Sequence, residues 1–347
     1  MPRRSLPALA AFLISLSASA GETPGGGGGF QRDVTFGEYT PLSRSAEVVR
    51  RMLSPLQGEE MARVSADSHL ALREQPVDLE KEKFGLYVPA TPPQQGYALL
   101  SFIPPWQTGT LPNGWARVLD KHGMIFVSAS NSGNSEKTLD RRVPLALLGA
   151  YNVMQRYPVD KDRVYIGGLS GGSRVAMRVA LSFPDLFHGA LLNAGSDPIG
   201  DGQAVLPPAD LFQLFQSASR LAYVTGTADT WNIENDVGSR QSMNQWCVFQ
   251  TLTETMQRAG HEIATPAALD HALSALDERP SPNAEKLAAC RQRITGQMGA
   301  KLQEVSDLLD RGKPHDAWEH LVKLDVRYGG LAAPQTIEIA GRIGGRR

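Results

Sequence analysis

Apolar and polar positions along this chain follow two rhythms, and their order predicts the architecture before any single residue is singled out. Short apolar runs rich in β-branched and aromatic residues read as strands: Phe84–Val88, Tyr97–Ile103, Met124–Ala129, Val164–Ile166, Ala190–Leu192, Leu221–Val224 and Val248–Thr253. Stretches at helical spacing lie between them, including Val143–Arg156, Pro266–Leu276 and the stripe Val175, Ala176, Val179 and Ala180 that leaves Arg174 and Arg178 on the other side. Such alternation implies an α/β fold, a mainly parallel sheet covered by helices on both faces.

The two ends of the chain break this rhythm. Met1–Ala20 reads as a cleavable secretory signal: Arg3 and Arg4 form a basic start, Leu6–Leu16 is an apolar core too short to span a bilayer, and Ala18-Ser19-Ala20 is a cleavage site. The expectation is a secreted or periplasmic protein whose mature form begins at Gly21. Residues 21–30 read as a glycine-rich linker, disordered through Gly29. Residues 31–83 form an N-terminal extension with a helix around Ala46–Leu56 and no assigned chemistry. The α/β domain occupies residues 84–279. Beyond Pro280 and Pro282, residues 280–347 form a helical appendage, with helices over Ala284–Leu309, Ala317–Val326 and Thr336–Ile343 packed on the core or on a protein partner.

Composition changes the picture little. A formal net charge of -1 gives no long-range attraction for nucleic acid or anionic lipid, and no segment after the signal is long enough to cross a membrane. The two cysteines, Cys247 and Cys290, either form a disulfide tying the appendage to the core or remain buried thiols.

The chemistry centres on Asp162–Ala180, where strand, sharp turn and helix follow one another. Gly168-Leu169-Ser170-Gly171-Gly172 fits G-x-S-x-G in that context. A serine on so tight a turn needs glycine neighbours, because a Cβ there would strike the adjoining strand or helix. The turn aims Ser170 outward at a helix N-terminus, where the Gly171 amide can meet a developing oxyanion.

Serine needs a base, and the base an orienting carboxylate. The chain order Ser…Asp…His, with each partner in a loop at the C-terminal end of a strand, is that of the α/β-hydrolase fold. Asp229 follows the strand Leu221–Val224, and His261 lies between the last strand and the Pro266–Leu276 helix. The alternative acid is Asp197, also just after a strand but before Pro198, where aspartate often serves a turn. His69, His122, His188, His271, His315 and His320 occupy other places in the order.

G-L-S-G-G within Arg163–Ala176, the run Phe183-Pro184-Asp185-Leu186-Phe187, T-G-T-A-D ending at Asp229, and Gly260-His261-Glu262 together resemble secreted esterases of the α/β-hydrolase superfamily, similar to polyhydroxybutyrate depolymerases and feruloyl esterases. The resemblance spans roughly Phe84–Leu276. It implies carboxylic-ester hydrolysis through an acyl-enzyme on Ser170, with a small-molecule or polymeric ester as substrate. Neither metal nor organic cofactor is expected.

One departure stands out. Such esterases usually carry His-Gly after the strand corresponding to Tyr97–Ile103, and its amides supply the second oxyanion donor. Here Pro104-Pro105-Trp106 follows, and proline has no N–H. The amide of Trp106 or Gln107 remains as the donor, with the Trp106 ring as a wall of the acyl pocket. Trp106, Trp115 and Trp231 are substrate-side aromatics or packing residues. Two other readings compete: a serine peptidase on the same fold, and an inactive hydrolase-fold binding protein.

Overall fold

The computed structural model describes residues 28–67, 73–279 and 281–344. The stretch read as a secretory signal, most of the glycine-rich tract, His69 and Pro280 lie outside the described residues.

Eight strands form one sheet: β1 (Gly29–Val34), β2 (Phe84–Val88), β3 (Tyr97–Ile103), β4 (Met124–Ala129), β5 (Val159–Leu169), β6 (Gly189–Asn193), β7 (Arg220–Gly226) and β8 (Thr251–Met256). Their spatial order is β1-β2-β4-β3-β5-β6-β7-β8, with β2 antiparallel to both its neighbours and β3 to β8 parallel. The α-helices of this domain are α3 (Trp115–His122), α4 (Val143–Arg156), α5 (Gly171–Ser182), α6 (Ala209–Ala218), α7 (Thr230–Gln245) and, after β8, α8 (Pro266–Asp277), while α1 (Ser45–Met52) and α2 (Pro55–Asp67) precede them. This is the α/β-hydrolase fold: the alternation of patterns predicted its mainly parallel sheet, and the order of Ser170, Asp229 and His261 with the motif resemblance implied the rest.

Alternation along β5 shows how the sheet sorts its layers. Val164 and Ile166 enter the core shared with α4 and α5, whereas Tyr165 enters the one shared with α3 and α8. A strand buried on both faces has no polar position to spare, which is why β2, β3 and β4 read as continuous apolar runs.

Several boundaries differ from the sequence reading: the helix expected over Ala46–Leu56 is interrupted at Leu53-Ser54 between α1 and α2, β5 runs well beyond Val164–Ile166, and the two edges of the sheet shift. The stretch expected to be a linker ends in strand: Gly29 and Phe30 pair with Val88 and Tyr87, so the N-terminal extension supplies an edge strand. The last strand begins at Thr251 rather than Val248. Val248 is apolar because it is buried beside Cys247 and Trp246 in the core, and the true edge strand has only its last residue, Met256, buried.

The appendage consists of α9 (Ala284–Asp310), α10 (Pro314–Tyr328) and α11 (Ala333–Gly344), and it packs on the core. Leu287, Ile294, Leu324 and Tyr328 join the main apolar cluster, and the Tyr328 ring meets Trp246 edge-on at 5.7 Å. Buried Asp325 accepts hydrogen bonds from the Ser54 hydroxyl and, at 3.2 Å, from the Leu56 amide, joining α10 to the start of α2. Cys247 and Cys290 are bonded, with Cα atoms 5.9 Å apart and 43 residues of separation.

Closing a loop of 43 residues in the unfolded chain is worth up to about 4 kcal/mol. Cys290→Ser should therefore lower the urea midpoint substantially, and wild-type protein unfolded in dithiothreitol should fall to the same midpoint as the variant.

Candidate active site

Three loops converge at the C-terminal edge of the parallel strands. The first is the turn from β5 into α5. Ser170 has φ 57° and ψ -123°, a conformation that L side chains rarely adopt and that persists only where the surroundings hold it. Those surroundings are backbone. A Cβ on Gly168 would strike Gly172, one on Gly172 would strike the Ile103 carbonyl, and one on Gly195 would strike the Ser170 carbonyl. The Ser170 amide donates to the Asn193 carbonyl at 2.9 Å, tying the turn to β6. Gly171 opens α5, so its N–H has no intrahelical acceptor and faces outward beside the serine.

Asp229 stands at the N-cap position of α7, directly beyond β7. His261 lies in the loop between β8 and α8. Their side chains meet: His261 Nδ1 and Asp229 Oδ2 are 2.6 Å apart. Burial opposes the charged form of Asp229, but hydrogen bonds from His261 and Asn232 outweigh it and hold the carboxyl below its ordinary value. His261 itself is exposed, leaving Nε2 without a partner among the described residues.

Asp197 faces arginines instead. Its two carboxylate oxygens accept from Arg174 Nε at 3.0 Å and Arg178 Nη2 at 2.8 Å. The other histidines within the described residues are placed elsewhere; His122, for example, sits between Asp270 and Asp277, at 2.8 and 3.3 Å.

Several residues that hold this arrangement were not singled out from the sequence. Asn232, only 2% exposed, donates to Asp229 Oδ2 at 2.7 Å, lies 3.0 Å from His261 Nδ1, and accepts from Arg174 at 3.1 Å. Its place one helical turn after Asp229 is the one signal that could have found it. Asn193, fully buried at the end of β6, donates to the carbonyls of Val224 and Glu262 and accepts from the Ala264 amide at 2.6 Å. It pins the stretch just after His261, at Glu262 and Ala264, to the ends of β6 and β7. Arg142, also buried, donates to the carbonyls of Ser132 at 2.9 Å and Pro104 at 3.2 Å, and to Asn134 Oδ1 at 3.2 Å. Burial, together with the nearby Arg178 charge, brings its pKa down to about 10, so it stays cationic at neutral pH. No spacing in the sequence marks Asn193 or Arg142.

The tryptophans divide. Trp115 is a fully buried core residue whose Nε1 donates to the Ala264 carbonyl at 2.9 Å. Trp231, in the first turn of α7, is 62% exposed, with the Arg174 guanidinium 4.8 Å from its ring centroid. Trp106 is half-buried in the loop after β3, and its backbone amide has no acceptor among the described residues.

No family model matches the chain. It is 28% identical to a poly(3-hydroxybutyrate) depolymerase from Ralstonia pickettii, over 24% of this chain and 20% of that protein, so the match spans about one fifth of the relative's length. That likeness is of the kind read from the motifs. Similar solved structures include an S-formylglutathione hydrolase from Staphylococcus aureus, at 12% identity and a TM-score of 0.43, covering 56% of this chain and 92% of that one. Others are a ferulic acid esterase, at 14% and 0.42, covering 56% and 92%, and an acylaminoacyl peptidase from Pyrococcus horikoshii, at 13% and 0.42, covering 58% and 38%.

Asn193→Ala would leave the Ala264 amide without its acceptor. A cost of about 1–3 kcal/mol is expected in urea unfolding, with faster hydrogen exchange confined to the loop carrying His261.

Proposed function

We propose that this chain is an exported serine hydrolase of carboxylic esters. The observation that carries the reading is the Asp229–His261 hydrogen bond of 2.6 Å, formed between loops of the same sheet edge on which Ser170 occupies its strained turn. In this reading Ser170 Oγ attacks the ester carbonyl while His261 Nε2 takes its proton. Asp229 keeps Nδ1 protonated and stabilises the imidazolium. The Gly171 amide receives the oxyanion. Collapse of the tetrahedral intermediate expels the alcohol, which takes the proton from His261, and a water activated by the same imidazole then releases the acid and frees Ser170.

An ester fits better than an amide on the sequence side, because the curated relative is named as a polyester depolymerase. We extend this to the substrate class: esters of hydroxy or aryl acids, free or polymeric, with exposed Trp231 beside Asp229 as the aromatic surface they meet. Export is proposed from the basic and apolar start of the chain and its small-residue cleavage site. The Cys247–Cys290 bond fits an oxidising compartment.

The mature chain should hydrolyse a short-chain p-nitrophenyl ester and label with a fluorophosphonate, and Ser170→Ala should abolish both. A folded wild-type protein that neither labels nor turns over would sink the proposal. Asp229→Asn should lower kcat by about 10⁴-fold, the loss typical when the wrong imidazole tautomer is held. Asp197→Asn should instead lower the melting temperature with kcat within a few-fold of wild type. The reverse pattern would transfer the acid's role to Asp197.

A further inference from the structure

Pro104-Pro105 removes two backbone N–H groups from the place where the second oxyanion donor is expected. The structure sets a different donor beside Gly171. We propose that the side-chain amide of Asn134 is the second oxyanion donor and that Arg142 is the residue that positions it; this rests on the esterase reading above.

The orientation of the Asn134 amide follows from its partner. Arg142 Nη2 lies 3.2 Å from Asn134 Oδ1, and a guanidinium can only donate. The amide oxygen must therefore face Arg142, which turns the Nδ2 hydrogens the other way. Nδ2 has no acceptor among the described residues, and Asn134 is exposed, so both hydrogens are available. The backbone is held as well. The Asn134 amide donates to the Pro105 carbonyl at 3.0 Å, and Gly133 lies so close to Trp106 that a Cβ would come within 2.8 Å of its carbonyl carbon and oxygen. The Pro-Pro segment thus lacks donors but serves as the seat for another loop.

The distances suit a shared oxygen. A Cβ placed on Gly171 would run into Asn134 Oδ1 and lie 3.1 Å from Nδ2. Adding the span from backbone nitrogen to Cβ puts Nδ2 within about 5.6 Å of the Gly171 nitrogen. Two donors that each approach one oxygen at about 2.9 Å stand at most about 5.8 Å apart. As Ser170 Oγ adds to the carbonyl and its proton passes to His261, the carbonyl π pair moves onto oxygen. That oxygen then takes hydrogen bonds from the Gly171 N–H and from Nδ2. A Cβ at position 171 would displace the Asn134 amide from this place.

Arg142 supplies rigidity. Its guanidinium also reaches the carbonyls of Ser132, Pro104 and Gly171, the last at 3.5 Å, so one buried cation fixes all three segments around the amide.

The test is steady-state hydrolysis of a p-nitrophenyl ester by the mature wild type, Asn134→Ala and Asn134→Asp, with the dissociation constant of phenylboronic acid measured in parallel. Asn134→Ala should lower kcat by about 10²–10³-fold with KM nearly unchanged, as for loss of one oxyanion donor. Affinity for the tetrahedral boronate adduct should fall with it. Asn134→Asp, which keeps the shape and replaces the donor with an acceptor, should be at least as slow, and it serves if the alanine variant fails to fold. An active wild type alongside folded variants within threefold of its kcat would overturn the proposal, leave the esterase reading standing, and pass the role to the Trp106 or Gln107 amide. A rise in KM with kcat unchanged would overturn it too, since that marks substrate binding alone. An inert wild type removes both.

Discussion

The fold depends on a backbone contortion at one residue. Ser170 is held at positive φ where β5 turns into α5, and such a conformation costs of order 1–3 kcal/mol for a residue with a side chain. The neighbouring strands make it persist. Gly172 lies against the carbonyl end of β3 and Gly195 against Ser170 itself, so closely that a Cβ at either position would strike backbone. The surrounding sheet order can be understood as what brings β3 and β6 to either side of this turn.

Around that turn the polar work is done by buried and half-buried residues. Asn193 joins β6 to β7 and to the His261 loop, Arg142 joins the loops after β3 and β4, and Arg174 joins Asp197 to Asn232. Each satisfies several groups at once, which is the condition under which a buried polar side chain stabilises rather than destabilises. Asp236 extends the pattern. Burial raises its pKa, yet it accepts from Ser196 at 2.5 Å and Thr225 at 2.6 Å, fastening α7 to the ends of β6 and β7.

Legibility in the sequence follows from this division. The central strands were readable where burial on both faces makes them apolar, as in β3, β4, β6, β7 and the second half of β5, and Ser170 was readable because its turn demands glycines within five residues. Asp229 and His261 were readable as residues just past strands. β1 was hidden by glycines and by an edge position that needs little apolar surface, and β8 was displaced by Val248, whose burial has nothing to do with pairing. Asn193, Arg142 and Asn134 were invisible for a deeper reason. Asn193 and Arg142 bond chiefly to backbone carbonyls and amides and Asn134 to the Arg142 guanidinium, partners brought near by the fold and marked by no pattern in the sequence.

The helix α7 connects the site to the appendage. Asp229 stands at one end, and beyond Gln245 at the other come Trp246, packed against Tyr328 of α10, and Cys247, bonded to Cys290 of α9. Sixteen residues make a rod about 24 Å long, so a tilt of roughly 2° at one end swings the other by nearly 1 Å. A displacement of that size matters to acid–base geometry. The C-terminal helices therefore brace the far end of the rod that carries Asp229, so the carboxylate and the appendage share one rigid support.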